Sequence, residues 1–301
     1  MSYIEVKNLT KDYGNNKGIF NLSFTIDKGE MFGFIGTNGA GKTTTIRHLL
    51  GFSKPDSGTC SIDGLDSWKF SSEIMKHIGY VPGEIAFPDL KSGTEVIKSQ
   101  AELLNLKSLD YANELIKKLQ LDVRGNPRTM SKGMKQKLAI VLALMHNPEI
   151  IILDEPTTGL DPLMRDTFMK IIKEQHKKGK TIIISSHMFE ELEPFCDKVA
   201  FIMNGRILDI ADMHEIRNSK WKYYKIEFLK EQEYEKFLKL NYKIVRNQKK
   251  YQQVTVKIEE DKITDLLKDL TKYELKFMNE VKYNLEKYFN EVIEKGEKEN
   301  D

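Results

Sequence analysis

Two cysteines in 301 residues, Cys60 and Cys196, stand far apart and in no metal-like spacing. That argues against a disulfide framework or a zinc site and makes a reducing compartment the expected setting. Long apolar runs are also lacking. The longest uncharged one, Leu138 to Met145, falls far short of the roughly 20 residues a spanning helix needs. The opening residues, MSYIEVKNL, have neither the basic start nor the apolar stretch of a secretory signal. The chain is therefore expected to be soluble by itself, so that any membrane role comes through a partner. No excess of one charge is present: the formal net charge is +2, which gives no argument for bulk nucleic-acid binding. Repeats and low-complexity segments are absent as well. What remains, 40% hydrophobic and 31% charged residues, can bury a core and stay soluble. The length suits one large domain or two of ordinary size.

Met31 to Ile35, MFGFI, is a short apolar run that reads as a buried strand ending at Gly36. A glycine-rich loop follows, and then a helix over Thr43 to Leu50. Ile150 to Leu153 and Thr181 to Ile184 read as two further buried strands, the first stopped by Asp154 and Glu155, the second by Ser185, Ser186 and His187. Between them, Met164, Phe168, Ile171 and Ile172 share one helical face, with Gly179 as a stop. Apolar strands separated by an amphipathic helix suggest a parallel sheet with crossovers. Asn204-Gly205 marks a hairpin turn within Val199 to Leu208. Residues from about 90 to 146 read as a helical insertion, with Leu138, Val141, Leu142 and Met145 on its core face. Beyond about residue 218 the pattern becomes β-α-β-β-α-β, which suggests a small ferredoxin-like unit, followed by a last helix through Leu285, Tyr288, Phe289, Val292 and Ile293. The final GEKEND is expected to fray.

The loop Gly36-Thr-Asn-Gly39-Ala-Gly41-Lys42-Thr43 fits GxxxxGK[ST]. Its glycines let backbone N–H groups converge on phosphate oxygens, and the helix N-terminus adds partial positive charge. Lys42 can reach the β- and γ-phosphates, and the Thr43 hydroxyl can ligate Mg²⁺. Asn38, Gly39, Gly41, Lys42, Thr43 and Thr44 are thus the candidate nucleotide contacts. A carboxylate at the end of a buried parallel strand lies beside the ligand crevice. Asp154 is placed to hold the Mg²⁺ shell, and Glu155 to polarise an attacking water. His187, at the tip of the neighbouring strand, is either a solvated residue or a hydrogen-bond partner of the γ-phosphate. Ser131 is a natural N-cap for the helix after it. With Gly133 it also forms a second helix N-terminus able to bind phosphate, one that would more readily serve the loop of a second copy than its own.

Taken in order, these residues resemble the ATP-binding subunit of an ABC transporter. SKGMK stands where the family's LSGGQ-like signature belongs; EPTTGLD, residues 155 to 161, matches the segment after the catalytic glutamate; SSH at 185 to 187 matches the switch histidine; and Tyr13, in TKDYG, matches the aromatic that stacks on adenine. The resemblance covers about residues 2 to 217, leaving 218–301 as an accessory domain. It implies an α/β fold: a P-loop ABC cassette with a mixed sheet core, N-terminal antiparallel strands and a helical subdomain at about 90–146. It implies ATP and Mg²⁺ as cofactors, Glu155 and His187 as catalytic residues, and Asp161, in the family's D-loop, among the nucleotide-binding residues. It further implies a head-to-tail dimer of cassettes, homo- or heteromeric, with each ATP between one subunit's phosphate loop and the other's Ser131 and Gly133. A separate membrane-spanning subunit would complete the machine, holding the cassette at the cytoplasmic face of the cell membrane. No nucleic-acid partner is expected. The signature variant and the appended domain look most like the bacterial drug- and bacteriocin-export branch.

Two departures stand out. Lys132 and Met134 replace the small glycine and the glutamine of the usual signature. In GYVPGE, residues 79 to 84, Gly83 stands where the family usually has glutamine, with Glu84 next. Glu84 then either takes over as a metal or water ligand, faces the membrane partner, or is a solvated loop acid. A GTPase or small-molecule kinase would leave SKGMKQ and SSH unexplained, and no NKxD-type guanine motif is present.

Overall fold

The computed structural model describes residues 2–298. It divides into two compact units, one ending at Ala211 and the other starting at Asp212.

The first unit begins with two long strands, β1 (Ile4–Asp12) and β2 (Gly18–Ile26), then β3 (Met31–Ile35), helix α1 (Lys42–Leu49), β4 (Ser57–Ile62) and β5 (Leu65–Asp66). Strands β2, β1, β4 and β5 form an antiparallel sheet in that order. In β2, Leu22, Phe24 and Ile26 alternate with exposed residues, the pattern of a strand with one wet face. A short helix α2 (Ser71–Ile74) leads to β6 (Ile78–Val81), followed by helices α3 (Gly93–Leu103), α4 (Asp110–Lys118) and α5 (Lys132–Leu144). Then come β7 (Ile150–Asp154), α6 (Pro162–Lys177), β8 (Thr181–Ser186), α7 (Phe189–Leu192) and the hairpin β9 (Lys198–Met203) and β10 (Arg206–Asp212). Its turn is Asn204-Gly205, both residues at positive φ as a tight primed turn requires.

The second sheet has six strands in the order β10-β9-β3-β8-β7-β6. Strand β3 is parallel to β8 and β9, and β7 is parallel to β6 and β8. Every residue of β3, β7 and β8 is buried. That is why these strands read as unbroken apolar runs and not as alternation. One core joins the two sheets: Ile4, Leu22 and Phe24 meet Phe32, Phe34, Ile152 and Ile183 across Ile46 and Leu49 of α1. The rings of Phe24, Phe32 and Phe34 lie 5.2–5.4 Å apart between centroids. Helix α6 buries Met164, Phe168, Ile171 and Ile172, and Asp161 caps it by accepting from the Met164 N–H at 3.0 Å. Helix α5 passes so close to β6 that a Cβ on Gly79 would lie 2.2 Å from the Ala143 carbonyl oxygen.

The parallel register has a functional consequence. Ile35 pairs with Ser186, and Asp154 with Ser185. The ends of β3, β7 and β8 are therefore level, and everything that follows each strand emerges at one edge.

The second unit runs α8 (Met213–Arg217), β11 (Trp221–Phe228), α9 (Glu231–Phe237), β12 (Lys243–Gln248), β13 (Gln253–Glu259), α10 (Ile263–Leu270), β14 (Leu275–Glu280) and α11 (Leu285–Lys298). Its sheet is ordered β12-β13-β11-β14, with every neighbouring pair antiparallel. Ile226, Phe228, Val254 and Val256 form the core with Phe237 of α9 and Leu266 of α10. The alternation expected over Tyr273, Leu275 and Phe277 breaks. An irregularity in the pairing sets Leu275 opposite Phe228 but Phe277 opposite Glu227. Leu275 and Met278 therefore pack on the core, whereas Phe277 meets the Lys225 ammonium, 5.7 Å from its ring. A single bulge residue is enough to reverse the faces of a strand.

Candidate functional site

The phosphate-binding loop joins β3 to α1. Two glycines show why little else fits there. A Cβ on Gly36 would sit 2.3 Å from the Ile202 carbonyl oxygen of β9, and Gly41 takes φ 114 at the helix start, a conformation that disfavours any side chain. Lys42, the first residue of α1, is only 4% exposed. Its ammonium donates to the carbonyls of Gly36 at 2.7 Å and Thr37 at 3.1 Å and lies 3.2 Å from the Glu155 carboxylate. It is thus held at the mouth of the loop with its charge facing the space that the loop encloses.

Thr43 and Asp154, 111 positions apart in the chain, meet directly: the threonine hydroxyl donates to Asp154 Oδ2 at 2.7 Å. The other oxygen, Oδ1, accepts from the Ser185 hydroxyl at 2.6 Å, and Ser185 Oγ accepts from the Glu155 N–H at 3.0 Å. Ser185 therefore locks the end of β7 to the end of β8. Glu155 has φ 47, a left-handed conformation that costs a non-glycine residue about 1–2 kcal/mol. Its N–H bond to Ser185 and its carbonyl bond to the Thr158 N–H at 3.2 Å hold it there. The conformation turns the side chain back toward Lys42 and toward His187, whose Nδ1 lies 3.6 Å away.

A cavity of about 360 Å³ is enclosed by these groups, with Asn38, Gly39, Gly41, Lys42, Thr43, Thr44, Asp154 and Glu155 among its walls. Arg47, Tyr80, Pro82, Gly83 and Glu84 complete it. Burial, with the Asp154 charge adding to it, pushes the Tyr80 phenol up to about 12. Gly83 lies against Asp154: a Cβ there would be 3.4 Å from Oδ2. A hydroxyl and a carboxylate within hydrogen-bond distance, both oxygen donors, suit a hard divalent cation such as Mg²⁺. The space beside Gly83 keeps the Asp154 face clear.

Of the remaining residues singled out from the sequence, His187, Tyr13, Ser131, Gly133 and Asp161 are not part of the cavity lining, although His187 lies 3.6 Å from Glu155, which is. Tyr13 is 56% exposed on the β1–β2 loop. Ser131 caps α5, accepting from the Met134 N–H at 3.2 Å. Gly133 faces the Gly159 carbonyl, 2.7 Å from where a Cβ would stand, and the stem of Lys132 covers Gly159 itself. The start of α5 and the loop before α6 thus touch within one chain. Sequence reasoning gave no chemical role to Ser185, Tyr80 or Arg47. Only the SSH triplet could have flagged the first and nothing local flags Tyr80, whereas Arg47 stands one turn after Thr43 on the same helix.

Among the described residues, no helix is long and apolar enough to cross a membrane. Residues 19–158 match the ABC transporter family. The bacitracin transport ATP-binding protein BcrA of Bacillus licheniformis is 36% identical over 73% of each chain. An uncharacterized ABC transporter ATP-binding protein of Methanocaldococcus jannaschii is 32% identical over 95% of this chain and 97% of its own. A bacterial ABC transporter cassette solved as a dimer superposes with a TM-score of 0.63 at 25% identity, over 70% of this chain and 98% of its own. With the loop, strand ends and cavity arranged as described, and identity above 30% across most of these relatives' length, the chain belongs to the ABC transporter ATP-binding proteins.

Proposed function

We propose that this ATPase subunit pairs with a second cassette around two ATP molecules and drives a separate membrane-spanning subunit in the export of amphipathic compounds such as drugs or peptides. The observation that carries the reading is the convergence of Lys42, Thr43, Asp154 and Glu155 on one cavity edge, with His187 behind Glu155. Lys42 and the loop N–H groups bind the phosphate charge. Thr43 and Asp154 would hold Mg²⁺, which when bound offsets negative charge on the transferred phosphoryl group. Glu155 orients the attacking water and draws off its proton; His187, beside it, senses the terminal phosphate. Tyr13 stacks on adenine from the exposed loop. In this reading the cassette takes the unit ending at Ala211 and the unit starting at Asp212 forms the accessory domain, with α8 on the accessory side of the boundary expected after residue 217. The export assignment leans on the bacitracin transport relative. The subunit works at the inner face of the cell membrane through its partner.

Ser131 and Gly133, off the cavity of their own chain, act on the second copy's nucleotide, with Asp161 at the same interface. Mixed dimers test this. When one subunit carries Ser131→Arg and the other Lys42→Ala, both lesions fall on one composite pocket and about half the activity is expected to survive, provided the pockets act independently. Placing both lesions on one subunit damages both pockets and removes the activity. Equal ATPase rates from the two arrangements would rule out action in trans.

An apolar groove of about 350 Å³ runs beside the cavity, lined by Ile85, Phe87, Leu103 and Leu142 among others. Tyr80 and Pro82 line both spaces. We assign this groove to the membrane subunit, with Glu84 as the charged residue between the two. Glu84→Ala is expected to keep the basal ATPase of the isolated subunit and to lose its stimulation by the co-purified membrane partner. A fall in basal rate with a raised Mg²⁺ requirement would instead make Glu84 a ligand of the site.

A further inference from the structure

Glu191, on α7, is only 6% exposed and has no part in the reaction as described. Its Oε1 accepts from the Thr157 hydroxyl at 2.7 Å and lies 3.5 Å from Arg165 Nη1. Its Oε2 accepts from the Ser186 hydroxyl, and Ser186 Oγ in turn accepts from the Met188 N–H at 3.0 Å. A buried carboxylate is costly unless it is hydrogen-bonded and paired. Here two hydroxyls and a guanidinium satisfy it.

The partners come from three different segments. Thr157 follows Glu155 closely in the chain, Ser186 immediately precedes His187, and Arg165 lies in the first turns of the helix capped by Asp161. Pairing between β7 and β8 does not reach this far: their ladder ends at the Asp154–Ser185 pair, and Ser186, the last residue of β8, pairs only with Ile35 of β3. Glu191 ties the loops together where the backbone ladder stops.

We propose that Glu191 is a positioning residue for ATP hydrolysis, holding the Glu155–Asp161 loop and the His187 strand end in one fixed relation. The proposal rests on the reading of Glu155 and His187 as the hydrolytic pair. Neither oxygen of Glu191 touches the cavity; it acts through the residues it fastens. The carboxylate chemistry is needed. An amide of the same size turns one acceptor into a donor, sets it against hydroxyls that now donate, and leaves Arg165 without its counter-charge.

The test uses the full chain with Glu191→Gln, Thr157→Val and Ser186→Ala, measuring MgATP affinity and single-turnover hydrolysis separately. The expected result is a Kd within about threefold of wild type and hydrolysis slowed about 10–100-fold by Glu191→Gln, the scale of a small misplacement of catalytic groups. The two hydroxyl variants should each show part of that loss, which keeps the test open if Glu191→Gln folds poorly. In a His187→Ala background, Glu191→Gln should cost less than it does alone, because one of the two groups it holds in relation is gone. Wild-type hydrolysis by all three variants, an equal loss of affinity and rate, or full additivity with His187→Ala overturns the proposal. Glu155→Gln serves as the reference: if that variant still turns over, the underlying reading has failed, and if it is dead while the Glu191 variants are active, only the positioning role has.

Discussion

Glu155→Gln is expected to slow ATP turnover by about 10²–10⁴-fold, the usual worth of a positioned general base, while leaving nucleotide binding nearly intact. The amide keeps the size of the side chain, and the left-handed backbone at φ 47 is held by Ser185 and Thr158 whatever the side chain carries. What is lost is the basic carboxylate, one oxygen of which lies 3.2 Å from Lys42 and the other 3.6 Å from His187. With binding preserved and hydrolysis blocked, the ATP-bound dimer should accumulate. Size-exclusion chromatography with MgATP and a single-turnover assay read the two effects separately. Retention of most of the ATPase activity would remove Glu155 from the catalytic role.

Lys42→Ala should fail at the earlier step. The ammonium is buried, anchored on the Gly36 and Thr37 carbonyls and aimed across the cavity. A charge-assisted hydrogen bond is worth about 1.5–3 kcal/mol, so losing the contact to phosphate should weaken MgATP binding about 10–100-fold. The Glu155 carboxylate also loses its cationic neighbour, which leaves a negative charge facing the phosphates and adds to the loss. Titration with a fluorescent ATP analogue checks this; unchanged affinity together with reduced turnover would assign Lys42 to the chemical step instead. The two variants thus separate binding from hydrolysis at residues whose side chains touch.

The chemistry proposed for the loop could be read from the sequence because phosphate binding needs consecutive backbone N–H groups and a lysine and hydroxyl at fixed offsets. All of these are local in sequence. The same holds for Asp154, Glu155 and His187, each marked by the end of an apolar run, since a fully buried strand advertises its own stopping point. The helix cap at Ser131 is equally local. Phe277 shows the limit of pattern reading: its alternation was regular in sequence, yet one irregular pair in the ladder put it on the opposite face from Leu275. Tyr80 carries no local signature, and only folding brings it to the cavity wall, whereas Arg47 follows Thr43 by one turn of α1.

The sequence by itself determined which chemical groups the proposed nucleotide site contains and which short segments present them. The tertiary structure decided how those groups meet. Parallel pairing of β3, β8 and β7 sets three strand ends level, so that Thr43 reaches Asp154 across 111 positions and Ser185 fastens Asp154 to Glu155. The tie from Thr157 through Glu191 to Ser186 is of the same kind. A hydrogen bond between distant segments depends on strand order and register, which are settled by how whole faces of apolar residues pack, and no spacing within a single segment encodes that.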